Sequence, residues 1–168
     1  NSFTIVKVEK QNTAQKGKIS VRKTGDIFTS VTTASSAYTN ENGEMIVNPT
    51  TYTPVFANGD LSGAVFQVIA VEDIVTLDGT VRANAGNVVA EITTDENGYA
   101  ETEPLYLGKY EIREIKAPEG YVLNNEPKDV ELTYAGQEIA VLDTVNASFV
   151  NDYQSVEISL SKVMENDE

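Results

Sequence analysis

The chain contains no cysteine, no histidine and no tryptophan. Without cysteine it has no disulfide, no thiolate nucleophile and no thiolate zinc site. Without histidine it lacks the usual general base near neutral pH, and with it the Ser-His-Asp arrangement and most transition-metal sites. The absence of tryptophan removes the best stacking platform for sugars, although eight tyrosines remain. No run approaches the roughly 18 apolar residues of a membrane-spanning helix. Basic residues are scarce: 12 Lys and Arg stand against 26 Asp and Glu, a formal net charge of −14. That balance argues against a nucleic-acid footprint and against an anionic membrane surface, and reads as a soluble, self-repelling exterior. Conventional catalysis is poorly supplied, and neither a metal nor a cofactor is expected. A cysteine-free chain fits the cytosol or an exported protein stabilised by other means. Neither a signal peptide nor a sorting signal is legible, so those addresses are expected in a longer parent protein.

The chain's 168 residues suffice for one or two small domains with a real core. Val, Ile, Thr and Tyr dominate short alternating runs, which read as strands. The expected strands are Phe3–Val8, Lys18–Lys23, Thr51–Phe56, Ala64–Val71, Val88–Thr93, Gly108–Ile115, Asp129–Tyr134, Glu138–Leu142, Ala147–Asn151 and Ser155–Lys162. Asn42-Gly43, Asn58-Gly59, Asp78-Gly79 and Asn97-Gly98 mark turns between them, and Ala135-Gly136-Gln137 a further short one. A short helical turn is expected near Glu72–Leu77. Residues 24–60, rich in Thr, Ser and Asn, read as a long connection with one or two extra strands, and Ser30–Glu44 reads equally as a flexible loop. The class is all-β, an antiparallel sandwich of two sheets.

Three of these alternations carry a polar residue where an apolar one belongs. Ile19 and Val21 lead to Lys23; Tyr110 and Ile112 lead to Glu114; Val145, Ala147 and Phe149 lead to Asn151. Residues two apart share a strand face, so each polar side chain points toward the core. A buried amine, acid and amide are costly singly. Together they can react: the lysine can attack the asparagine to form an amide, with the glutamate moving protons. The plainer alternative is a buried Lys23–Glu114 ion pair beside a strand-end amide bonded to backbone. An echo of the first alternation, Ile158-Ser159-Leu160-Ser161-Lys162, follows Asn151. It reads as the first strand of a following module, with Lys162 as that module's lysine, or as chance similarity of two amphipathic strands.

The segments Leu61-Ser62-Gly63-Ala64-Val65-Phe66, Thr94-Asp95-Glu96-Asn97-Gly98, Leu105-Tyr106-Leu107-Gly108-Lys109-Tyr110, Tyr110-Glu111-Ile112-Arg113-Glu114 and Ala117-Pro118-Glu119-Gly120-Tyr121 occur in this order. Together they resemble the CnaB-type, or SpaA-like, domains of Gram-positive pilins and surface adhesins, over about residues 17–153. The resemblance implies a prealbumin-like sandwich and, in many members, a self-formed isopeptide bond assisted by a buried acid. Carried over, Lys23 and Asn151 are the crosslinking pair and Glu114 the proton shuttle, with Tyr110, Ile112 and Phe149 as the apolar surround. The segment between Lys23 and Leu61 is longer than in minimal members, which brings Lys18 and Lys16 into consideration; Lys18 has the opposite parity and ranks second. Burial favours the neutral amine of a lysine and the neutral carboxyl of a glutamate. The acid is therefore expected to donate to the Asn151 carbonyl and then relay a proton to departing ammonia.

The expected organisation is an N-terminal strand or linker over 1–16, the sandwich over 17–153 with an insertion at about 24–60, and a C-terminal strand over 154–168. Asp95-Glu96-Asn97-Gly98 reads as a hairpin turn rather than half a calcium loop. Glu101-Thr102-Glu103 and Glu111 read as solvated strand faces, and Lys7 and Lys10 as solvent contacts. The resemblance implies a non-enzymatic stalk or spacer module of a cell-wall-attached surface protein, outside the cell. Its expected partners are neighbouring domains of the same polypeptide and a host surface ligand of the parent protein, with no nucleic acid and no membrane. A second reading is a module that itself binds host matrix protein or glycan through loop tyrosines such as Tyr38, Tyr52 and Tyr99.

Overall fold

Alternating apolar residues can bury one face of a strand only if a second sheet covers it, and two such sheets dominate the computed structural model, which describes residues 12–137 and 145–152. In chain order the strands are β1 (Lys16–Gly17), β2 (Ile19–Ala34), β3 (Ala37–Thr39), β4 (Met45–Val47), β5 (Thr51–Asp60), β6 (Val65–Ala70) and β7 (Ile74–Val75). They continue as β8 (Val81–Ala83), β9 (Val88–Thr93), β10 (Tyr99–Glu101), β11 (Leu105–Tyr106), β12 (Gly108–Lys116), β13 (Lys128–Leu132) and β14 (Val145–Asn151). One main sheet has the order β10-β2-β14, with β5 also on β2; the other has the order β13-β12-β6-β9. Between them lies a core of Ile19, Val21, Ala147 and Phe149 from the first sheet against Phe66, Val68, Tyr110, Ile112, Val130 and Leu132 from the second. The all-β sandwich is as the alternation predicts. One pairing departs from the antiparallel rule: β14 runs parallel to β2, from Val145 beside Ile19 to Asn151 beside Gly25.

Three local expectations are corrected. The segment Glu72–Leu77 is no helical turn but part of the β7–β8 hairpin. There Asp78 Oδ1 accepts from Thr76 Oγ1 (2.6 Å) and from the Thr80 N–H (3.0 Å), and Gly79 has φ 80°. Side-chain bonds of this kind compete with a helical ladder and fix a turn. Asn58-Gly59 lies inside β5, opposite Asp26 and Gly25, so that of the four expected Asn-Gly and Asp-Gly turns the other three, at Gly43, Gly79 and Gly98, have their glycine at positive φ. Residues 24–60 hold extra strands as expected, β3 and β4 among them, but the loop alternative for Ser30–Glu44 does not hold. β2 and β5 pair continuously from Thr24–Asp60 to Ala34–Thr51, and β3 and β4 close a hairpin at the far end. Thr29 and Thr32 hydroxyls donate to the Val55 and Thr53 carbonyls, and Phe28 meets Phe56 edge-on at 6.0 Å. The composition that suggested a loop is also that of an exposed strand, because threonine serves both. The expected strands Phe3–Val8, Glu138–Leu142 and Ser155–Lys162 lie outside the described residues.

The β9–β10 turn is tied to β2 beside Lys23. The Lys23 N–H donates to the Gly98 carbonyl at 2.7 Å, and the Leu61 N–H to the Lys23 carbonyl at 3.0 Å. Gly98 has φ 68°, and a Cβ there would meet the Lys23 carbonyl at 2.4 Å. Gly98→Ala is therefore expected to destabilise the fold by about 1–3 kcal/mol through left-handed backbone strain and that clash, measured as a lowered urea midpoint at unchanged slope.

Candidate functional site

The parallel register decides which side chains meet. Lys23 stands beside Phe149, and Asn151, two residues on, shares its face and stands beside Gly25. Glu114 comes from the opposite sheet, on β12 beside Phe66 of β6. The three side chains predicted to converge do so in the interior: Lys23 is 0% exposed, Asn151 3% and Glu114 5%. Lys23 Nζ donates to Asn151 Oδ1 and lies 2.7 Å from Glu114 Oε1. Asn151 Nδ2 lies 3.1 Å from both Glu114 oxygens. Glu114 Oε2 also accepts the Asn124 N–H at 2.7 Å. The acid thus faces the amide nitrogen, not the carbonyl oxygen expected for it; that oxygen is taken by the amine.

The surroundings exclude water. Nζ lies 5.7 Å from the centre of the Phe66 ring and 5.8 Å from that of Phe149, and the two rings are 4.7 Å apart. Burial pushes the Lys23 amine below its ordinary value, with Glu114 opposing the shift. An amine whose proton burial weakens, in contact with an amide and with a carboxyl group touching both, has the parts of an acyl transfer to nitrogen.

Of the predicted aromatic surround, Phe149 is in place and Ile112 is buried one step below Glu114 on the same face. Tyr110 is elsewhere in the core: four residues from Glu114 along β12, it is displaced by about 13 Å at the usual strand rise. Its hydroxyl donates to the Tyr106 carbonyl, and burial pushes its pKa up to about 12. Phe66 takes the position assigned to it; the Phe66-Gln67-Val68 alternation marks Phe66 as buried, but only the sheet pairing brings it to Lys23. Asn124 has no sequence signal, because it acts through its backbone N–H. The alternative lysines point away, Lys18 to Glu101 at 2.8 Å and Lys16 over the Tyr106 ring, and Lys162 lies outside the described residues. Thr102, read as solvated, is buried, and its hydroxyl accepts the Ile19 N–H at 3.1 Å. Tyr38, Tyr52 and Tyr99 are exposed but stand on strands rather than loops. Among the described residues no acidic cluster could hold a metal ion.

A loop closes the site from the side. The Val122 N–H donates to the Asp152 carbonyl (3.0 Å), Asn124 Nδ2 to the Val150 carbonyl (3.2 Å) and the Tyr121 hydroxyl to the Asp26 carbonyl (2.8 Å). A Cβ on Gly25 would fall 2.7 Å from the Asn151 carbonyl oxygen and 3.1 Å from the Tyr121 ring, so glycine lets the strands and loop close there.

Removing one member of a buried ion pair strands the other and costs about 3–5 kcal/mol, whereas apolar replacement of both does not. Lys23→Met and Glu114→Leu are each expected to be strongly destabilising. The double variant Lys23→Met/Glu114→Leu is expected to be more stable than either single one in thermal or urea unfolding.

A 39-residue stretch is 49% identical to the trypsin-resistant surface T6 protein of Streptococcus pyogenes, covering 23% of this chain and 7% of that protein. Among solved structures, GBS52, a minor pilin of Streptococcus agalactiae, overlays at a TM-score of 0.49 and 15% identity, over 89% of this chain and 50% of that one. The major pilin SpaD of Corynebacterium diphtheriae overlays at 0.47 and 20% identity, over 83% of this chain and 30% of that one. The chain therefore spans half or less of each of these proteins. A family model described as the SpaA prealbumin-like fold domain matches residues 55–146, a span that includes Glu114 and stops short of Asn151. More than half of the chain lies within that match, and the chain belongs to the SpaA prealbumin-like domain family.

Proposed function

We propose that this chain is a structural stalk or spacer module of a Gram-positive cell-surface protein, a pilin or adhesin, and that it staples itself with an amide bond between Lys23 and Asn151. The observation that carries the reading is the buried contact of Lys23 Nζ with both Asn151 and Glu114. Family membership and the likeness of a 39-residue stretch to one streptococcal surface protein support the setting.

The reaction balances without a co-reactant. The lone pair of neutral Nζ attacks Asn151 Cγ, the Nζ–Cγ bond forms, and the Cγ–Nδ2 bond breaks. Nζ gives up one proton, Nδ2 gains one, and ammonia leaves. Glu114 lies within 3.1 Å of both nitrogens, so its carboxylate takes the proton from one and hands it to the other. The sandwich contributes proximity, which in well-oriented cases lowers a barrier by about 7–11 kcal/mol. Glu114 acts once per molecule, so the protein is not an enzyme in the turnover sense. The joined residues are 128 apart in sequence. By analogy with disulfides, closing such a loop stabilises the fold by about 5 kcal/mol through the unfolded state, and no reductant opens the link.

The decisive measurement is the intact mass of the denatured chain. It is expected to fall short of the sequence mass by one ammonia, and Lys23→Ala, Glu114→Ala and Asn151→Ala are each expected to restore the full mass. A full mass in the unaltered chain would leave only a buried ion pair.

A pH series tests the amine. In Asn151→Ala the Lys23 amine survives, with a folded-state value below the ordinary 10.5. Below the folded value both states hold the proton and the burial penalty is fully present. Between the folded value and 10.5 the unfolded chain binds a proton that the folded chain lacks, so stability rises with pH. Urea unfolding of Asn151→Ala is expected to show this rise relative to the unaltered chain, whose amine has been consumed. A constant difference across the window would contradict it.

A further inference from the structure

Carrying a proton between two nitrogens requires more of Glu114 than a place in the core. The last torsion of a glutamate side chain is soft and roughly two-fold, so its two oxygens exchange places unless something holds one of them. In this site the oxygens are not equivalent. Oε1 lies 2.7 Å from Lys23 Nζ and 3.1 Å from Asn151 Nδ2. Oε2 also lies 3.1 Å from Nδ2, and it accepts the Asn124 N–H at 2.7 Å. One oxygen thus faces both reacting nitrogens, and the other is tied to the loop.

Asn124 is held in turn by its own side chain. Its Oδ1 accepts the Glu126 N–H at 3.0 Å, a local bond that fixes the turn. Its Nδ2 donates to the Val150 carbonyl at 3.2 Å, one residue before Asn151. β14 and β13 are end strands of their respective sheets, and the outward carbonyls of an end strand need partners wherever the chain covers them. Residues 122–128 supply those partners. The Ser148, Val150 and Asp152 carbonyls accept from Lys128 Nζ, Asn124 Nδ2 and the Val122 N–H. Asn124 stands in the middle of this row. Its main chain bonds to Glu114 and its side chain to the strand that carries Asn151, so one residue sets the acid and the amide relative to each other.

We propose that Asn124 is a positioning residue for the Lys23–Asn151 bond: its N–H anchors Glu114 Oε2, so that Oε1 carries the proton from Lys23 Nζ to Asn151 Nδ2. The inference rests on the function proposed above. Oε1 takes a proton from Nζ as the Nζ–Cγ bond forms and returns it to Nδ2 as the Cγ–Nδ2 bond breaks. Glu114 ends as it began, and the proton departs with ammonia. Oε2 keeps its bond to the loop throughout.

Two substitutions separate the main chain from the side chain. Asn124→Gly keeps the N–H and removes the tie to Val150, whereas Asn124→Pro removes the N–H as well. Each full chain is made by cell-free synthesis, and the loss of ammonia is followed by intact mass against time. Hydrogen-exchange protection of β6 and β12 shows that the molecules followed are folded. Asn124→Gly is expected to slow the reaction by less than about tenfold and Asn124→Pro by about a hundredfold, the cost of misplacing a reacting group by about 1 Å. A spectroscopic signature covers the case in which Asn124→Pro does not fold. In Asn151→Ala, where no bond forms, the Asn124 amide proton is expected to be shifted downfield and protected from exchange, and Glu114→Ala in that chain is expected to abolish both. An ordinary, fast-exchanging Asn124 amide in Asn151→Ala overturns the proposal. Equal rates in Asn124→Gly and Asn124→Pro also overturn it, as does a lowered urea midpoint with the rate unchanged. A full mass in the unaltered chain removes the crosslink and this role with it, whereas prompt crosslinking in Asn124→Pro removes this role alone.

Discussion

A lysine amine cut off from water is tolerable only where other polar groups meet it, and in this protein two do. Lys23 places its amine beside the paired rings of Phe66 and Phe149 and reaches Glu114 from one sheet and Asn151 from the adjacent strand. The cost of desolvating it is offset only while all three side chains are in place. The constraint therefore reaches well beyond the site. It requires β14 beside β2 in one register, β12 opposite at the right height, and a glycine at position 25 so that neither Leu61 nor Asn151 is pushed aside. The loop from Pro118 to Asn124 serves the same end, since it holds the second Glu114 oxygen and bonds to the end of β14.

The convergence of the three side chains was legible in the sequence because strand parity is strict. A lysine, a glutamate and an asparagine each interrupt an apolar alternation, and that places all three on core faces without further information. What parity could not show was how far along each strand the residues meet. Tyr110 and Phe149 both have the right face, but only Phe149 lies at the right height, and Phe66 came to the amine through the β6–β12 pairing. Asn124 and Gly25 left no mark of their own, since one contributes a backbone N–H and the other an absence of side chain.

The insertion was the least legible part for a related reason. Threonine, serine and asparagine are shared between loops and exposed strands, and a ribbon with one polar face lacks the clean alternation of a core strand. Asn58-Gly59 was misleading in the same way. Its glycine lies within a strand, where the Ile27 side chain covers it, and not in a turn. The parallel pairing of β2 and β14 was equally hidden, since alternation is blind to strand direction.

That pairing sets the route of a pulling force. A tension applied at the two ends enters through the start of β2 and leaves through the end of β14, which lie at opposite ends of the same pair of strands. With only hydrogen bonds between them, such a tension slides one strand past the other. With the proposed amide in place, the force passes from Ile19 to Lys23, crosses directly to Asn151 and departs. The residues from 24 to 150, including the opposite sheet and the whole ribbon, then hang beside the load path as a branch carrying no tension. A module built this way has a taut length of a few residues, however long the insertion it carries.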